Sequence, residues 1–177
     1  RMGHAASAPS HLLLTVPHRL FFLAGVAQIA LVSLWWLWVL AARAVPAVPP
    51  PASAMPDTIV HALVMTCGFA PFFMFGFMFT AGPKWLRRPP VEARELRLPV
   101  GLFVLGWALS VVGFHLGLAL AAAGLALVAI GWGGLTMRMV RLVAGSEQAD
   151  RLHPWLIVSA SIVIVVCLIL SMVLLAV

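Results

Sequence analysis

Charge is what this sequence has least of. Only 9% of its 177 residues are Asp, Glu, Lys or Arg, where a soluble domain carries about 25%. With 63% of the residues hydrophobic, the apolar surface exceeds what a core of this size can bury, so the solvent it suits is lipid. A soluble enzyme, a secreted disulfide scaffold and a disordered tail are excluded together. Acidic residues number 5 and none falls within an apolar run. Cysteine is limited to Cys67 and Cys167, both inside apolar runs, so neither reports on the redox compartment. Alternation with a period of two is missing as well, and because only helices and closed barrels satisfy their backbone in lipid, the chain reads as all-helical. No internal repeat is present.

What is there is a series of long apolar runs. A bilayer core takes about 20 consecutive apolar residues as helix. Uncharged runs cover 20–42 and 59–82, then a stretch from Leu98 to Met137 that is too long for one span, and finally 154–177. The long stretch breaks best at Gly113-Phe114-His115-Leu116-Gly117, where glycines flank a polar side chain. Five spans result, near 20–42, 59–82, 98–112, 118–137 and 154–177, in one transmembrane helical bundle (residues 18–177) behind a mobile leader (1–17). The first run exceeds the 7–15 residues of a signal-peptide core and reads as a span that is kept. The chain starts with Arg1 ahead of Met2 and stops within its last apolar run, so the expectation is the N-terminal part of a longer protein.

The basic residues set the orientation. With the N-terminus in the cytoplasm, all of the 11 Lys and Arg side chains except Arg43 fall on the cytoplasmic side, as the positive-inside rule requires. The net charge of +6 is therefore a topology signal and needs no nucleic-acid partner. The outer loop 43–58 carries Pro46, Pro49, Pro50, Pro51 and Pro56 and should be extended. The inner loop 83–97 is expected to hold a short interfacial helix over 91–97, and the inner loop 144–153 is a short polar connection.

Chemistry has few places to reside. Of the six histidines, His4 and His11 belong to the leader, His18 and His153 flank spans on the cytoplasmic side, and His61 and His115 lie at the outer surface. An ionisable side chain within a span is a functional candidate, and imidazole is the commonest ligand for haem iron and copper. His61 and Met65 are four residues apart and share a helix face, a donor pair suited to a soft ion such as Cu(I). Gly68, Phe69, Phe72, Phe73, Gly76 and Phe79 follow; they offer a surface to a flat cofactor or, more ordinarily, to another helix. Pro71 should kink this helix. Trp35, Trp36 and Trp38 are accounted for by an interfacial aromatic belt, and Gly113 and Gly117 by a turn rather than by small-residue packing.

Three segments carry a family resemblance. Pro17-His18-Arg19-Leu20-Phe21-Phe22-Leu23-Ala24-Gly25, His61-Ala62-Leu63-Val64-Met65-Thr66-Cys67-Gly68-Phe69 and Gly76-Phe77-Met78-Phe79-Thr80-Ala81-Gly82-Pro83-Lys84-Trp85-Leu86 together resemble the NnrS family of bacterial inner-membrane proteins. The resemblance implies a multi-pass protein of the nitric oxide response that contains haem and copper. His61 and His18 would be cofactor ligands, and His61 with Met65 metal ligands. Where many members carry a His-x-His-Glu-Met string, this chain keeps the first His and the Met but has Leu63 and Val64 between them. The implied partners are lipid, nitric oxide and further transmembrane helices of the same protein or an oligomer, and no turnover chemistry is assigned. Two other readings stay open: a cofactor-free helical subunit or half of a transporter, and a b-type cytochrome subunit using His61 with His115.

Overall fold

The computed structural model describes residues 15–176; the leader residues 1–14, with His4 and His11, and Val177 lie outside the described residues. Five helices are long and apolar enough to cross a membrane: α1 (Pro17–Ala44), α2 (Asp57–Trp85), α3 (Ala93–Leu116), α4 (Leu118–Ala144) and α5 (Leu152–Ala176). Among the described residues there is no strand. Helices α1 to α4 outrun their apolar runs by several residues, because the backbone stays hydrogen-bonded past the point where side chains turn polar.

Two local expectations change. The basic segment 91–97 is not a separate interfacial helix: α3 starts at Ala93 and continues through Pro99 into the span. Gly113 is not in the turn either. It lies within α3, which ends at Leu116, so that Gly117 alone separates α3 from α4. The irregularity at Pro71 takes the form of a π turn. Having no N–H, and with a ring that crowds the carbonyl four residues back, the proline follows a π-helical turn over Val64–Phe69 in which the Ala70 N–H bonds the Met65 carbonyl.

The α3–α4 hairpin is the closest-packed pair. A Cβ placed on Gly106 would lie 2.5 Å from the Val128 amide nitrogen, and one on Gly124 would lie 2.4 Å from that of Ser110. One on Gly113 would lie 2.1 Å from the Ala121 nitrogen. The antiparallel backbones therefore touch through small residues, the solution available where lipid offers no hydrophobic drive between helices. Helices α1 and α2 pair by exchange: the Phe72–Phe73 pair packs over Gly25, the Phe21–Phe22 pair packs over Gly76, and the rings of Phe22 and Phe73 stack at 5.3 Å. Phe72 meets Phe103 at 4.9 Å and Phe75 meets Trp132 at 5.4 Å, which ties α2 to the hairpin through an aromatic core.

Helix α5 rests on α4 and buries only Val158, Ser161 and Leu168. Ser161 is the polar pin of that contact. Its hydroxyl accepts from Trp132 Nε1–H at 2.7 Å and lies 2.6 Å from Thr136 Oγ1. Ser161→Ala should leave the buried indole N–H unpaired and loosen α5 by about 1 kcal/mol, the scale of an interhelical hydrogen bond in lipid. Unfolding in SDS should shift by that amount, and an unchanged midpoint would remove the pin from the account.

Candidate functional site

The outer end of the bundle collects the polar side chains that the spans otherwise exclude. Helix α1 delivers Trp35, Trp36 and, in its last turn, Arg43. The proline-rich loop returns the chain to Asp57 and His61 in the first turns of α2, and the last turn of α3 adds His115.

His61 lies face to face on Trp36, with ring centroids 4.1 Å apart and planes 15° from parallel, and Trp35 flanks it at 6.5 Å. Its Nδ1 is buried and has no hydrogen-bond partner. Asp57 precedes it by four residues on the same helix face and holds a second buried, unpartnered atom, Oδ1. The other carboxylate oxygen of Asp57 is 3.6 Å from Arg43, whose guanidinium lies 5.5 Å from the centre of the Trp36 ring. Trp35, Trp36, Arg43 and Asp57 thus gather from two helices at the end of the bundle where His61 lies, and two buried atoms there stay unpaired: a carboxylate oxygen and a ring nitrogen.

His115 is committed elsewhere. Trp35 Nε1–H donates to its Nε2 at 2.9 Å, so Nδ1 carries the proton and donates to the Ala52 carbonyl. The Ala54 amide adds a bond to the Phe114 carbonyl at 2.7 Å. With both nitrogens engaged, His115 latches the proline loop to the end of α3, and Trp35 contacts the rings of both outer histidines. His115→Phe should release this latch at a cost of about 1 kcal/mol per bond. Faster hydrogen exchange at the Ala54 amide is the readout, and unchanged exchange would refute the latch.

The other predicted ligands are not brought to this place. His18 stands at the opposite end of α1, 18 residues before Trp36 and so about 27 Å away along the axis; its recorded ring contact is with Phe22. Met65, one turn past His61, is the second residue of the π turn and is half-buried against the apolar core. His153 is exposed at the start of α5. Among the described residues no group of three or more His, Cys, Asp or Glu side chains could hold a metal ion.

The faces expected to admit a flat cofactor are filled by this chain's own rings. Trp107 lies 3.2 Å from where a Gly68 Cβ would be, and Phe21 and Phe22 close over Gly76. The glycine and phenylalanine stripe of α2 is helix packing. Trp35 and Trp36, read as an aromatic belt, also pack on the outer histidines, and Trp38, 45% exposed, donates to the Pro49 carbonyl. Asp57 and Arg43 were missed. The one signal that pointed to Asp57 was its four-residue spacing from His61, and Arg43 stood out as the lone basic residue on the outer side.

No curated protein and no solved structure matches the chain. A family model described as NnrS protein does match, over residues 12–177. That span takes in all five membrane-crossing helices together with His61 and its neighbours, and the chain belongs to the NnrS family.

Proposed function

We propose that this chain is part of a multi-pass inner-membrane protein of the nitric oxide response that holds haem, and copper with it, through His61. The observation that supports the reading is the state of that one side chain. Among the described residues His61 has the only buried imidazole nitrogen without a partner, and Asp57, four residues earlier on the same helix, holds a carboxylate oxygen in the same condition. A carboxylate one turn away is where the proton-bearing nitrogen of a metal-binding histidine is commonly held, which leaves the other nitrogen to the metal. The residues present fit a single ligand of such a group; the remaining ligands lie outside the described residues, or on further helices or a second copy.

Haem iron, when bound, supplies reversible coordination of nitric oxide. The chain's own contribution is to hold the imidazole against Trp36, with Trp35 beside it, and to supply in Asp57 a carboxylate one turn away that would hold its tautomer. No turnover is assigned. Met65 is a weaker metal candidate because it is half-buried against the apolar core, and His18 would serve only a separate group near the opposite face. The cofactor-free reading, a helical subunit or transporter half, is favoured by the glycine faces being filled by neighbouring rings. One measurement separates the two: the purified protein should show a Soret band and stoichiometric iron or copper. Neither signal would leave the cofactor-free subunit standing.

A further inference from the structure

A second site lies at the other end of the bundle, where α2, the α2–α3 turn, α3 and α4 meet α5. Two cavities adjoin there and share Leu142. One, about 100 Å³, is apolar, with Met78, Trp85, Met139, Leu142 and Ile157 in its walls and His153 at its rim. The other, about 150 Å³, is bounded by Arg88, Arg138, Arg141 and Glu95.

The charges there do not balance. Glu95 is spoken for by Arg138 at 2.5 Å. Among the described residues Arg88 and Arg141 have no carboxylate partner, although they border the same cavity. Their placement is built into the fold. Arg87 takes a left-handed conformation (φ 51°) after α2, and the Arg88 amide bonds back to the Pro83 carbonyl at 2.8 Å. The Arg88 guanidinium lies against Gly145 at the end of α4, 3.0 Å from where a Cβ would be. Ser146 Oγ donates to the Leu86 carbonyl at 2.9 Å and so fixes the α4–α5 loop to the end of α2. Two unpaired guanidiniums held beside an apolar cavity match one chemistry: a phosphate headgroup with a hydrocarbon chain attached.

We propose that this paired cavity binds one anionic phospholipid, its phosphate between Arg88 and Arg141 and part of an acyl chain against Met78, Met139 and Ile157. Trp85, 55% exposed at the rim, stands at the headgroup level where tryptophan is enriched. The basic residues place this end in the cytoplasmic leaflet, where anionic lipid adds about fivefold in affinity per Lys or Arg. The open space at Gly82 belongs to the acyl cavity, since a Cβ there would meet only Leu142 Cδ2 at 3.7 Å. This site is independent of the role given to His61.

The test uses the full chain in nanodiscs of phosphatidylcholine with a minor fraction of phosphatidylglycerol, and native mass spectrometry to count the lipid retained. Retention of one phosphatidylglycerol per chain is expected. Replacing both arginines, Arg88→Gln with Arg141→Gln, should weaken it roughly 25-fold. Gly82→Leu should weaken it by filling the acyl cavity while leaving the arginines in place; if that variant does not fold, Ile157→Phe fills the same space from α5. Inorganic phosphate should not displace the lipid. Equal retention of phosphatidylcholine, or indifference to the arginine pair or to the cavity-filling variant, would overturn the proposal. Full displacement by inorganic phosphate would also overturn it, and would mark a free-phosphate site instead.

Discussion

Gly106→Leu should prevent the α3–α4 hairpin from closing, and with it the assembly of the bundle. The position is met by backbone: a Cβ would lie 2.5 Å from the Val128 nitrogen and 2.8 Å from the Gly124 carbonyl oxygen. A side-chain neighbour could change rotamer, but a backbone neighbour moves only if the helices part. Parting them at Gly106 also undoes the contacts at Gly124, Gly113 and Gly131, which belong to the same antiparallel seam. Overpacking a core costs about 1–3 kcal/mol and more where nothing yields; with backbone on the far side, about 3 kcal/mol or more is expected. Lipid sharpens the effect, because the separated helices expose no surface to water and nothing but packing draws them together. Even Gly106→Ala should destabilise, since the clash is with Cβ itself. That outcome opposes helix propensity, which favours alanine by about 1 kcal/mol. Gly101→Ala is the internal control: nothing lies within 4 Å of its Cβ, so it should be neutral or stabilising. If SDS unfolding ranked Gly106→Ala level with Gly101→Ala, the seam would not be what holds the hairpin.

The hairpin also shows where sequence reading stops. The spans were legible because charge is excluded from lipid: Arg19, Arg43, Lys84, Arg97, Arg138 and Arg151 mark out four apolar runs, and the glycines around His115 divide the longest into two. Which side of each helix meets its neighbour was not legible. In a soluble helix the polar stripe labels the outside; here core and surroundings are both apolar, and Gly106 looks no different from Gly101. The same blindness affected Gly68 and Gly76, where a cofactor face and a packing face have one composition and only the structure shows Trp107 and Phe22 lying over them.

At the outer site the position is reversed. His61 was found because it is one of very few polar side chains in the apolar mass, and scarcity is a property of sequence. Its surroundings depend on how α1 rotates against α2. That rotation brings Trp36 rather than Trp38 onto the imidazole and sets Arg43 beside Asp57. The π turn over Val64–Phe69, ahead of Pro71, was not legible either, because the apolar pattern of α2 is the same on every side.

The second large effect is expected at His61. His61→Ala should abolish the Soret band and the bound metal, but it also removes the ring stacked on Trp36 at 4.1 Å, so loss of cofactor and loss of local structure would coincide. His61→Phe separates them. It keeps an aromatic ring on Trp36 and takes away both nitrogens, so the protein should remain as resistant to unfolding as the parent while its iron or copper content falls to background. Asp57→Asn should act more mildly, since it alters how the imidazole is held and not the ligand atom; a 10–100-fold loss of metal affinity is the usual scale for such a partner. Met65→Leu, nearly the same in volume, should retain the cofactor, because the thioether is half-buried against the apolar core and His61 supplies the assigned ligand atom. His115→Phe should also retain it, since both nitrogens of His115 are occupied by Trp35 and Ala52. An unchanged spectrum in His61→Phe would refute the assignment outright. Loss in Met65→Leu with retention in His61→Phe would move the ligand to the thioether and with it the site into the π turn.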